Sequence, residues 1–287
     1  MRFMRTLRRE AVIEGIGIHT GERSRLVCRP AVEGTGVVLS RTDLAGEPRW
    51  NLTAGTESES LLQGAGRRTQ LLGPGGSVET VEHFLAAIWA LGVLNLKAEL
   101  TGPELPILDG SAKDYVDVFE AAGLEDQRTP VKELNLEEPV FVSGDRCAIL
   151  ALPHKGLKVT YTLDYPYPGL AAQTVSVDLT PQSFIESIAP ARTFCAREEA
   201  DRLREQGFGK GATTANTLVM TADGPLDNRL RFSDECARHK ILDLIGDLSF
   251  LGADVNAHIV AVRSGHALNH RLREALTAAE TCKNQER

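Results

Sequence analysis

The chain has 287 residues, of which 42% are hydrophobic and 25% are charged, and its net charge is −7. This length suits two domains of ordinary size, and the composition is that of a globular protein. A broad nucleic-acid-binding face is not expected, because such a face needs excess basic charge. A membrane span is not expected either, because there is no run of about 18 apolar residues.

The five cysteines are scattered and never form a CxxC pair. This pattern argues against a disulfide framework and against a cysteine-based zinc site. The basic N-terminal stretch has no apolar core segment of the kind found in secretory signals. We therefore expect a cytoplasmic protein with reduced thiols.

Short strands separated by glycine turns are predicted over residues 5–40. His19 lies in the turn GIHTG between two of these strands, and an isolated loop histidine is usually just solvated. Residues 44–77 are polar and rich in glycine. We expect irregular structure with minor strands there.

The first helix is predicted over Ser77–Leu91, with Ser77 as its N-cap. Its apolar stripe consists of Val81, Leu85 and Ile88. Glu82 and His83 stand side by side near its start and point about 100° apart, so one could bind a metal while the other reached a neighbouring water. The alternative is a surface glutamate beside a half-buried histidine.

A strand over Asn95–Leu100 comes next, followed by a proline-rich turn and a second helix. The inward residues of that helix are Ala112, Val116 and Phe119. Asp109 lies in the turn, where a structural capping role is the simpler interpretation. Residues 123–134 are polar with little apolar content, which predicts a boundary between a first domain over 1–127 and a second over 128–287.

The second half again places strands before helices. Its strands are predicted at Pro139–Val142, Cys147–Leu152, Leu157–Leu163, Gln173–Asp178, Thr217–Met220 and Asn256–Arg263. Its helices are predicted at Pro181–Ile188, Glu198–Gln206, Ser233–Leu248 and from the SGHALN turn to Ala279. No internal repeat is visible, but this order in both halves is typical of an α+β fold.

The helix over Ser233–Leu248 has two distinct faces. Its apolar stripe consists of Ile241, Leu244, Ile245 and Leu248. His239 and Asp243 are four residues apart and share a face roughly opposite that stripe. Gly246 lies near them, where a side chain would block close approach, and Asp247 lies at the edge. An isolated histidine–aspartate pair of this kind usually lies on a solvated polar face of its helix.

Three histidines and three carboxylates thus stand in similar contexts. A catalytic zinc needs about three protein ligands and one open position, and neutral imidazole with carboxylate is a suitable set. His83, His239 and Asp243 are candidates for these ligands. Hydrolysis also needs a carboxylate base and an acid for the leaving group, and Glu82 and His266 are candidates. Spacing alone does not show that these residues meet in space.

Six sequence blocks occur in a fixed order along the chain. They are GIHTG (17–21), TVEH (80–83), GPELPILDGSA (102–112), ARTF (191–194), RHKILDLIGDL (238–248) and SGHALNH (264–270). Together they resemble the LpxC family, the UDP-3-O-acyl-N-acetylglucosamine deacetylases of lipid A biosynthesis, over roughly residues 5–280. The resemblance implies a cytoplasmic zinc amidase that acts on an acylated UDP-amino sugar.

The resemblance also implies roles for individual residues. The matched zinc ligands are His83, His239 and Asp243. The matched catalytic residues are Glu82 as general base, a cationic His266 as oxyanion stabiliser and general acid, Asp247 as the carboxylate that orients His266, and Thr193 as a hydroxyl donor to the oxyanion. The matched substrate-binding residues are Lys240, His19, Phe194, Arg263 and Tyr165, of which Arg263 suits the diphosphate and Tyr165 the uracil.

The fold implied by the resemblance is α+β, with two domains of similar topology. Each would have a mostly antiparallel sheet with helices on one face, and the helices would pack between the sheets. An insert over about 190–216 would form a passage for the acyl chain, and a first insert over 62–76 is short and glycine-rich. The passage departs from the family pattern, because less bulky or polar residues replace expected apolar ones. They are Arg197, Ala200, Lys210 and Thr214.

Two alternatives remain open at this point. One is a zinc deacetylase of the same fold acting on a different N-acyl sugar, and the other is a non-catalytic relative. We expect no nucleic-acid partner, a monomer, and at most transient contact with a membrane surface.

Overall fold

Two mixed β-sheets with the same strand order form the framework of this protein in a computed structural model, which describes residues 2–53, 62–65, 67–167 and 169–286. The strands in chain order are β1 (Phe3–Leu7), β2 (Ala11–Ile16), β3 (Arg23–Pro30), β4 (Val37–Arg41), β5 (Arg49–Asn51), β6 (Leu62–Ala65), β7 (Arg68–Gly73), β8 (Gly76–Glu79), β9 (Leu96–Thr101), β10 (Leu124–Pro130), β11 (Lys132–Asn135), β12 (Val140–Gly144), β13 (Cys147–Pro153), β14 (Leu157–Leu163), β15 (Gln173–Leu179), β16 (Phe194–Ala196), β17 (Leu218–Thr221), β18 (Gly224–Pro225) and β19 (Ala253–Val262).

The first sheet has the order β2-β3-β9-β4-β5 and the second has the order β12-β13-β19-β14-β15. In each sheet the third and fourth strands of this order run parallel, and the remaining pairs are antiparallel. β11 adds a further parallel pairing along β19. Smaller sheets form from β1 with β10, from β6 to β8, and from β16 to β18. The predicted α+β class is therefore confirmed, with mixed rather than purely antiparallel sheets.

Six α-helices lie within the described residues. They are α1 (Glu82–Leu91), α2 (Lys113–Ala122), α3 (Pro181–Ser187), α4 (Arg197–Glu205), α5 (Glu235–Leu248) and α6 (His266–Glu286). α1 and α5 pack directly on each other, and α5 also contacts β14, β15 and α6. Among these helices in the described part of the chain, none is long and apolar enough to cross a lipid bilayer.

The contact between α1 and α5 explains their unusual burial. All ten residues of α1 are buried, so its predicted single stripe understates how deeply it lies. A Cβ added at Gly246 on α5 would collide with the carbonyl oxygen of Glu82 on α1. The absence of a side chain at this position lets the two helix backbones approach closely, as the sequence predicted.

The predicted start of the first helix is wrong by five residues. Ser77 does not cap it, because Ser77 pairs with Leu72 in the β7–β8 hairpin. The chain then turns at Thr80, whose φ is 58°, before the helix begins at Glu82. A local N-cap signal was outweighed by strand pairing, which sequence propensity does not report.

The stretch 44–77 is also more regular than expected. It contains β5 and the β6–β7–β8 sheet, although residues 54–61 and 66 of this stretch lie outside the described residues. The polar segment 123–134 is likewise formed by strands. β10 pairs with β1, whereas β11 pairs with β19, so the chain passes from the strands of the first half to those of the second near Val131.

Candidate metal-dependent active site

A cavity of about 510 Å³ lies where α1 and α5 meet the segment that leads into β16. Ten of the predicted site residues line it: Glu82, His83, His239, Asp243, His266, Thr193, Phe194, Lys240, Tyr165 and His19. Two predicted site residues lie outside the lining. Asp247 is fully buried behind it, and Arg263 forms an ion pair with Asp164 at 3.3 Å.

The three predicted metal ligands meet in one buried cluster. The donor atoms offered by His83, His239 and Asp243 lie within 4.8 Å of one another. Asp243 Oδ1 is 3.3 Å from His239 Nε2 and 3.8 Å from His83 Nε2. The two imidazole centroids are 5.0 Å apart. One divalent ion can therefore contact all three side chains, which spacing along the chain did not establish.

The protonation of these side chains suits a metal. His239 Nδ1–H donates to the Ala191 carbonyl at 3.0 Å, which leaves the lone pair of Nε2 facing Asp243. Burial lowers the pKa of both histidines, that of His83 to about 3, so both are neutral near pH 7. Burial alone would raise the pKa of Asp243, but His239 and Lys240 hold it well below its usual range. Two neutral imidazoles and one carboxylate are a donor set that zinc accepts.

Glu82 and His266 lie beside the cluster and close to each other. Glu82 Oε1 is 3.8 Å from His266 Nε2, and His266 Nε2 is 3.8 Å from Asp243 Oδ2. Burial raises the pKa of the Glu82 carboxyl to about 7, although the neighbouring His266 opposes this. A carboxyl that titrates near neutral pH beside a metal cluster has the property expected of a general base.

Asp247 holds the imidazole of His266 from behind. Its Oδ2 is 2.8 Å from His266 Nδ1 and also accepts from the Asn269 amide at 2.8 Å. Burial alone would lower the pKa of His266, but Asp247 raises it to about 9. The imidazole is therefore cationic at neutral pH and directs Nε2 into the cavity.

Thr69 is a further residue of the site that the sequence did not predict. It is fully buried on β7, and its backbone N–H donates to Glu82 Oε2 at 3.1 Å. Its hydroxyl donates to Asp247 Oδ1 at 2.6 Å and lies 3.1 Å from His270 Nε2. Thr69 thus connects the glutamate of α1 with the aspartate of α5. It lies in a segment expected to be irregular, where no local signal distinguishes it.

The segment 191–194 is anchored by a buried ion pair. The Arg192 guanidinium donates to both carboxylate oxygens of Glu235, at 2.9 Å and 3.2 Å, and Glu235 also accepts from the Arg192 backbone N–H at 3.1 Å. The Thr193 N–H donates to the Gly110 carbonyl at 2.8 Å. These bonds fix the Ala191 carbonyl against His239 and place Thr193 on the cavity wall. The pairing of Arg192 with Glu235 was not foreseen, since 43 residues separate them.

The other predicted contact residues lie around the cluster. Lys240 Nζ is 2.5 Å from Asp243 Oδ2 and 5.9 Å from the ring centroid of Phe194. Tyr165 packs edge-on against Phe194 with ring centroids 6.1 Å apart. His19 packs edge-on against Phe208 at 5.8 Å, and burial lowers the pKa of His19 to about 4. An apolar wall with a few polar groups is typical of a small-molecule site.

The insert of the second half supplies much of the remaining wall. Arg197, Ala200 and Thr214, three of the four departures from the expected apolar pattern, line the cavity, whereas Lys210 does not. α4 has no buried residue, as its charged sequence predicted.

Asp109 holds the turn that precedes α2. Its Oδ1 accepts hydrogen bonds from the backbone N–H and the hydroxyl of Ser111 at 2.9 Å and 2.7 Å. Its Oδ2 forms an ion pair with Arg231 at 2.8 Å.

A buried cluster of two histidines and one aspartate, with a carboxylate and a carboxylate-held imidazole beside it, defines the centre of a metal-dependent hydrolase. The family profile of LpxC, described as UDP-3-O-acyl N-acetylglycosamine deacetylase, matches residues 4–278. The chain belongs to the LpxC family. The cofactor of this family is zinc, which the cluster fits.

Individual relatives agree with this assignment. The chain is 40% identical to the UDP-3-O-acyl-N-acetylglucosamine deacetylase of Thermosynechococcus vestitus over 272 residues, which are 95% of this chain and 93% of the relative. It is 39% identical to the deacetylase of the same name from Chlamydia muridarum over 281 residues, or 96% of each chain. The corresponding protein of Bdellovibrio bacteriovorus is 37% identical over 273 residues, or 95% of this chain and 89% of the relative.

Proposed function

We propose that this chain hydrolyses the N-acetyl amide of UDP-3-O-acyl-N-acetylglucosamine, giving acetate and UDP-3-O-acyl-glucosamine in lipid A biosynthesis. One observation carries the proposal: the buried cluster of His83, His239 and Asp243, with Glu82 and His266 facing it, in a chain of the LpxC family. Reaction type follows from this set of groups, and substrate class follows from the family.

The three clustered side chains would hold the zinc ion. When bound, zinc supplies a Lewis acid that polarises a carbonyl group and lowers the pKa of water. Lys240 compensates the charge of Asp243, with its Nζ 2.5 Å from Oδ2, whereas the two histidines are nearest Oδ1. The neutral state of both imidazoles supports this role, because a protonated histidine cannot be a ligand.

Glu82 takes a proton from the attacking water. The Thr69 N–H occupies Glu82 Oε2, and Oε1 lies on the side of His266. A carboxylate whose pKa is near 7 accepts a proton at neutral pH and is also able to release it. The water oxygen forms the new bond to the acetyl carbon as this proton leaves.

His266 delivers a proton to the departing nitrogen when the amide C–N bond breaks, so that acetate and a free amine result. Asp247 keeps His266 charged and oriented until that step. Before it, the cationic imidazole and the Thr193 hydroxyl stabilise the negative charge that develops on the acetyl oxygen. The position of Thr193 and His266 in the lining of the same cavity supports this division of roles.

The cavity lining supports the assignment of substrate contacts. Lys240 and His19 are suited to the sugar and the start of the acyl chain, and Phe194 and Tyr165 offer ring faces for the sugar and the uracil. Arg263 is assigned to the diphosphate, which requires it to exchange its exposed pairing with Asp164 for a phosphate.

A different acyl group is the alternative that the structure itself raises. Arg197 and Thr214 line the part of the cavity assigned to the acyl passage, where a long alkyl chain would prefer apolar neighbours. A shorter or hydroxylated chain fits such a wall better. A non-catalytic relative is disfavoured, because a binding protein has no use for a glutamate poised beside the metal cluster.

We further infer that the chain forms two domains of similar topology, over residues 1–127 and 128–287. The matching strand orders of the two large sheets support this division, and the helices α1 and α5 then pack between the sheets. The second domain carries the acyl-passage insert at about 190–216. We expect a monomer. Transient contact with a membrane surface agrees with a lipid-bearing substrate, and family membership supports the expected cytoplasmic location.

The proposal is tested by measuring acetate release from UDP-3-O-acyl-N-acetylglucosamine by the zinc-loaded protein. We expect one equivalent of the free amine for each equivalent of acetate released. A panel of UDP-sugars with different acyl lengths distinguishes the main proposal from its alternative. Release from none of them, with one zinc ion bound per chain, would contradict the deacetylase assignment.

A further inference from the structure

Glu104 is a fully buried carboxylate outside the group of residues that the proposed reaction uses. Four donors converge on it. The backbone N–H groups of His19 and Thr20 donate at 3.1 Å and 2.8 Å, and the hydroxyls of Thr20 and Thr80 donate at 2.8 Å and 2.7 Å. A buried charge with this many donors is held in one geometry and holds its donors in turn.

Three of these contacts fix the loop of residues 17–21, which carries His19. The loop closes on itself through the Gly21 N–H, which donates to the Gly17 carbonyl at 3.0 Å. A Cβ at Gly17 would collide with Glu104 Oε2, so the loop backbone lies directly on the carboxylate. Glu104 therefore holds the backbone of this loop in place.

The same loop supports the insert of the second half. The Lys210 N–H donates to the His19 carbonyl at 3.2 Å, and the Gly211 N–H donates to the Ile18 carbonyl at 3.1 Å. Residues on both sides of this junction, Ile18 from the loop and Ala212 from the insert, line the cavity. The junction thus forms one wall of the space assigned to the acyl chain.

The remaining contact of Glu104 leads toward the metal cluster. Thr80, whose hydroxyl donates to Glu104, lies two residues before Glu82 and has a φ of 58°. Its backbone N–H donates to the Thr69 carbonyl at 3.0 Å. Glu104 therefore joins the loop that meets the insert to the turn from which α1 begins.

We propose that Glu104 is a positioning residue that sets the width of the acyl passage by fixing the loop of residues 17–21 against the insert. This inference rests on the proposed function, since it concerns the acyl chain of that substrate. The carboxylate is needed because all four partners are donors. In Glu104→Gln the side chain keeps its size, but one oxygen becomes an amide NH₂ that faces N–H and O–H groups. The loop must then move, and the passage wall moves with it.

The expected effect depends on acyl length. Each methylene buried in the passage is worth about fourfold in affinity. A displaced wall therefore weakens the binding of the long-chain ligand more than that of the short-chain ligand. Two ligands are compared, the UDP-sugar with a long acyl chain and the same sugar with a short one. Dissociation constants are measured by calorimetry on the zinc-loaded proteins, and acetate release is measured in parallel.

In Glu104→Gln we expect the preference for the long chain to fall by about tenfold, with an unchanged zinc content. Glu99→Gln, the same substitution at an exposed position of β9 paired with Arg29, is the matched control and keeps the wild-type preference. Thr20→Val removes the loop hydroxyl that donates to Glu104 and should lower the preference for the long chain by a smaller factor. This variant tests the inference if Glu104→Gln does not fold.

A wild-type ratio of long-chain to short-chain affinity in Glu104→Gln would overturn the inference. Equal losses of affinity for the two ligands would overturn it as well, because the substitution would then act outside the acyl passage. The two proposals can fail separately. If the wild-type protein releases no acetate, the proposed function is wrong. If that protein still binds the long-chain ligand more tightly and Glu104→Gln loses this preference, the role of Glu104 is supported.

Discussion

The imidazole of His266 is held by Asp247 through a 2.8 Å contact between Nδ1 and Oδ2, and both side chains are buried. Burial by itself lowers the pKa of a histidine, so the raised pKa of His266, about 9, depends on the carboxylate. The proton that the proposed reaction needs for the leaving amine is thus retained by a residue outside the cavity lining.

Asp247→Asn keeps the shape of this contact and removes its charge. The pKa of His266 then falls, so the alkaline limb of the pH–rate profile should move to lower pH, and kcat should fall by about 10²-fold. The measurement is the pH dependence of acetate release at saturating substrate, with zinc content as control. An alkaline limb at the wild-type position would contradict the role of Asp247.

Glu82→Gln tests the proposed base. The amide fills the same space but does not accept the proton of the attacking water, so the rate should fall by about 10²–10⁴-fold. Since Glu82 is not among the three clustered ligands, the variant should still bind zinc, as measured by elemental analysis. A rate near that of the wild type would exclude Glu82 as the base.

Removal of the metal should abolish activity and lower thermal stability together. The cluster is assembled in the folded chain, and a metal ion that binds only the folded state stabilises that state by mass action. Chelation should therefore lower the midpoint of thermal unfolding, and added zinc should restore it. His239→Ala should lack the metal and show no response to zinc; full zinc occupancy in this variant would contradict the predicted ligand set.

Thr69→Val separates the hydroxyl contacts of this threonine from its backbone contact. It removes the hydroxyl that donates to Asp247 but keeps the backbone N–H on Glu82. A buried carboxylate that loses a donor is destabilised by about 1–3 kcal/mol, so we expect kcat to fall about tenfold with little change in KM. Thr69→Ser retains the hydroxyl and should restore the rate. Equal losses in both variants would point to packing instead of hydrogen bonding.

Gly246→Ala tests the approach of α1 and α5. The added methyl group collides with the Glu82 carbonyl oxygen, so the helices must separate. We expect the free energy of unfolding to fall by about 1–3 kcal/mol and activity to fall because Glu82 moves with its helix. Gly265→Ala, where a Cβ meets open space, is the control for stability. Urea titrations of both variants make the comparison.

The sequence predicted elements where local pattern and tertiary burial agree. The alternation along β19 and the face of α5 that carries His239 and Asp243 are examples, because side-chain direction follows from the backbone period alone. The sequence was less informative where pairing between distant segments decides the structure. Ser77 has the composition of a helix cap, but it is a strand residue because Leu72 lies opposite.

By itself, the sequence determined the α+β class, the family, and the residues able to bind a metal or move a proton, since residue type and order carry that information. The family resemblance implied that His83 and His239 bind one ion, and the tertiary structure supplied the geometry. Tertiary structure alone decided that Thr69 joins Glu82 to Asp247 and that Glu104 supports the loop of His19. The physical reason is that hydrogen bonds and metal contacts act over a few ångströms. The residues that make them lie far apart in the sequence; Thr69 and Asp247, for example, are separated by 178 positions.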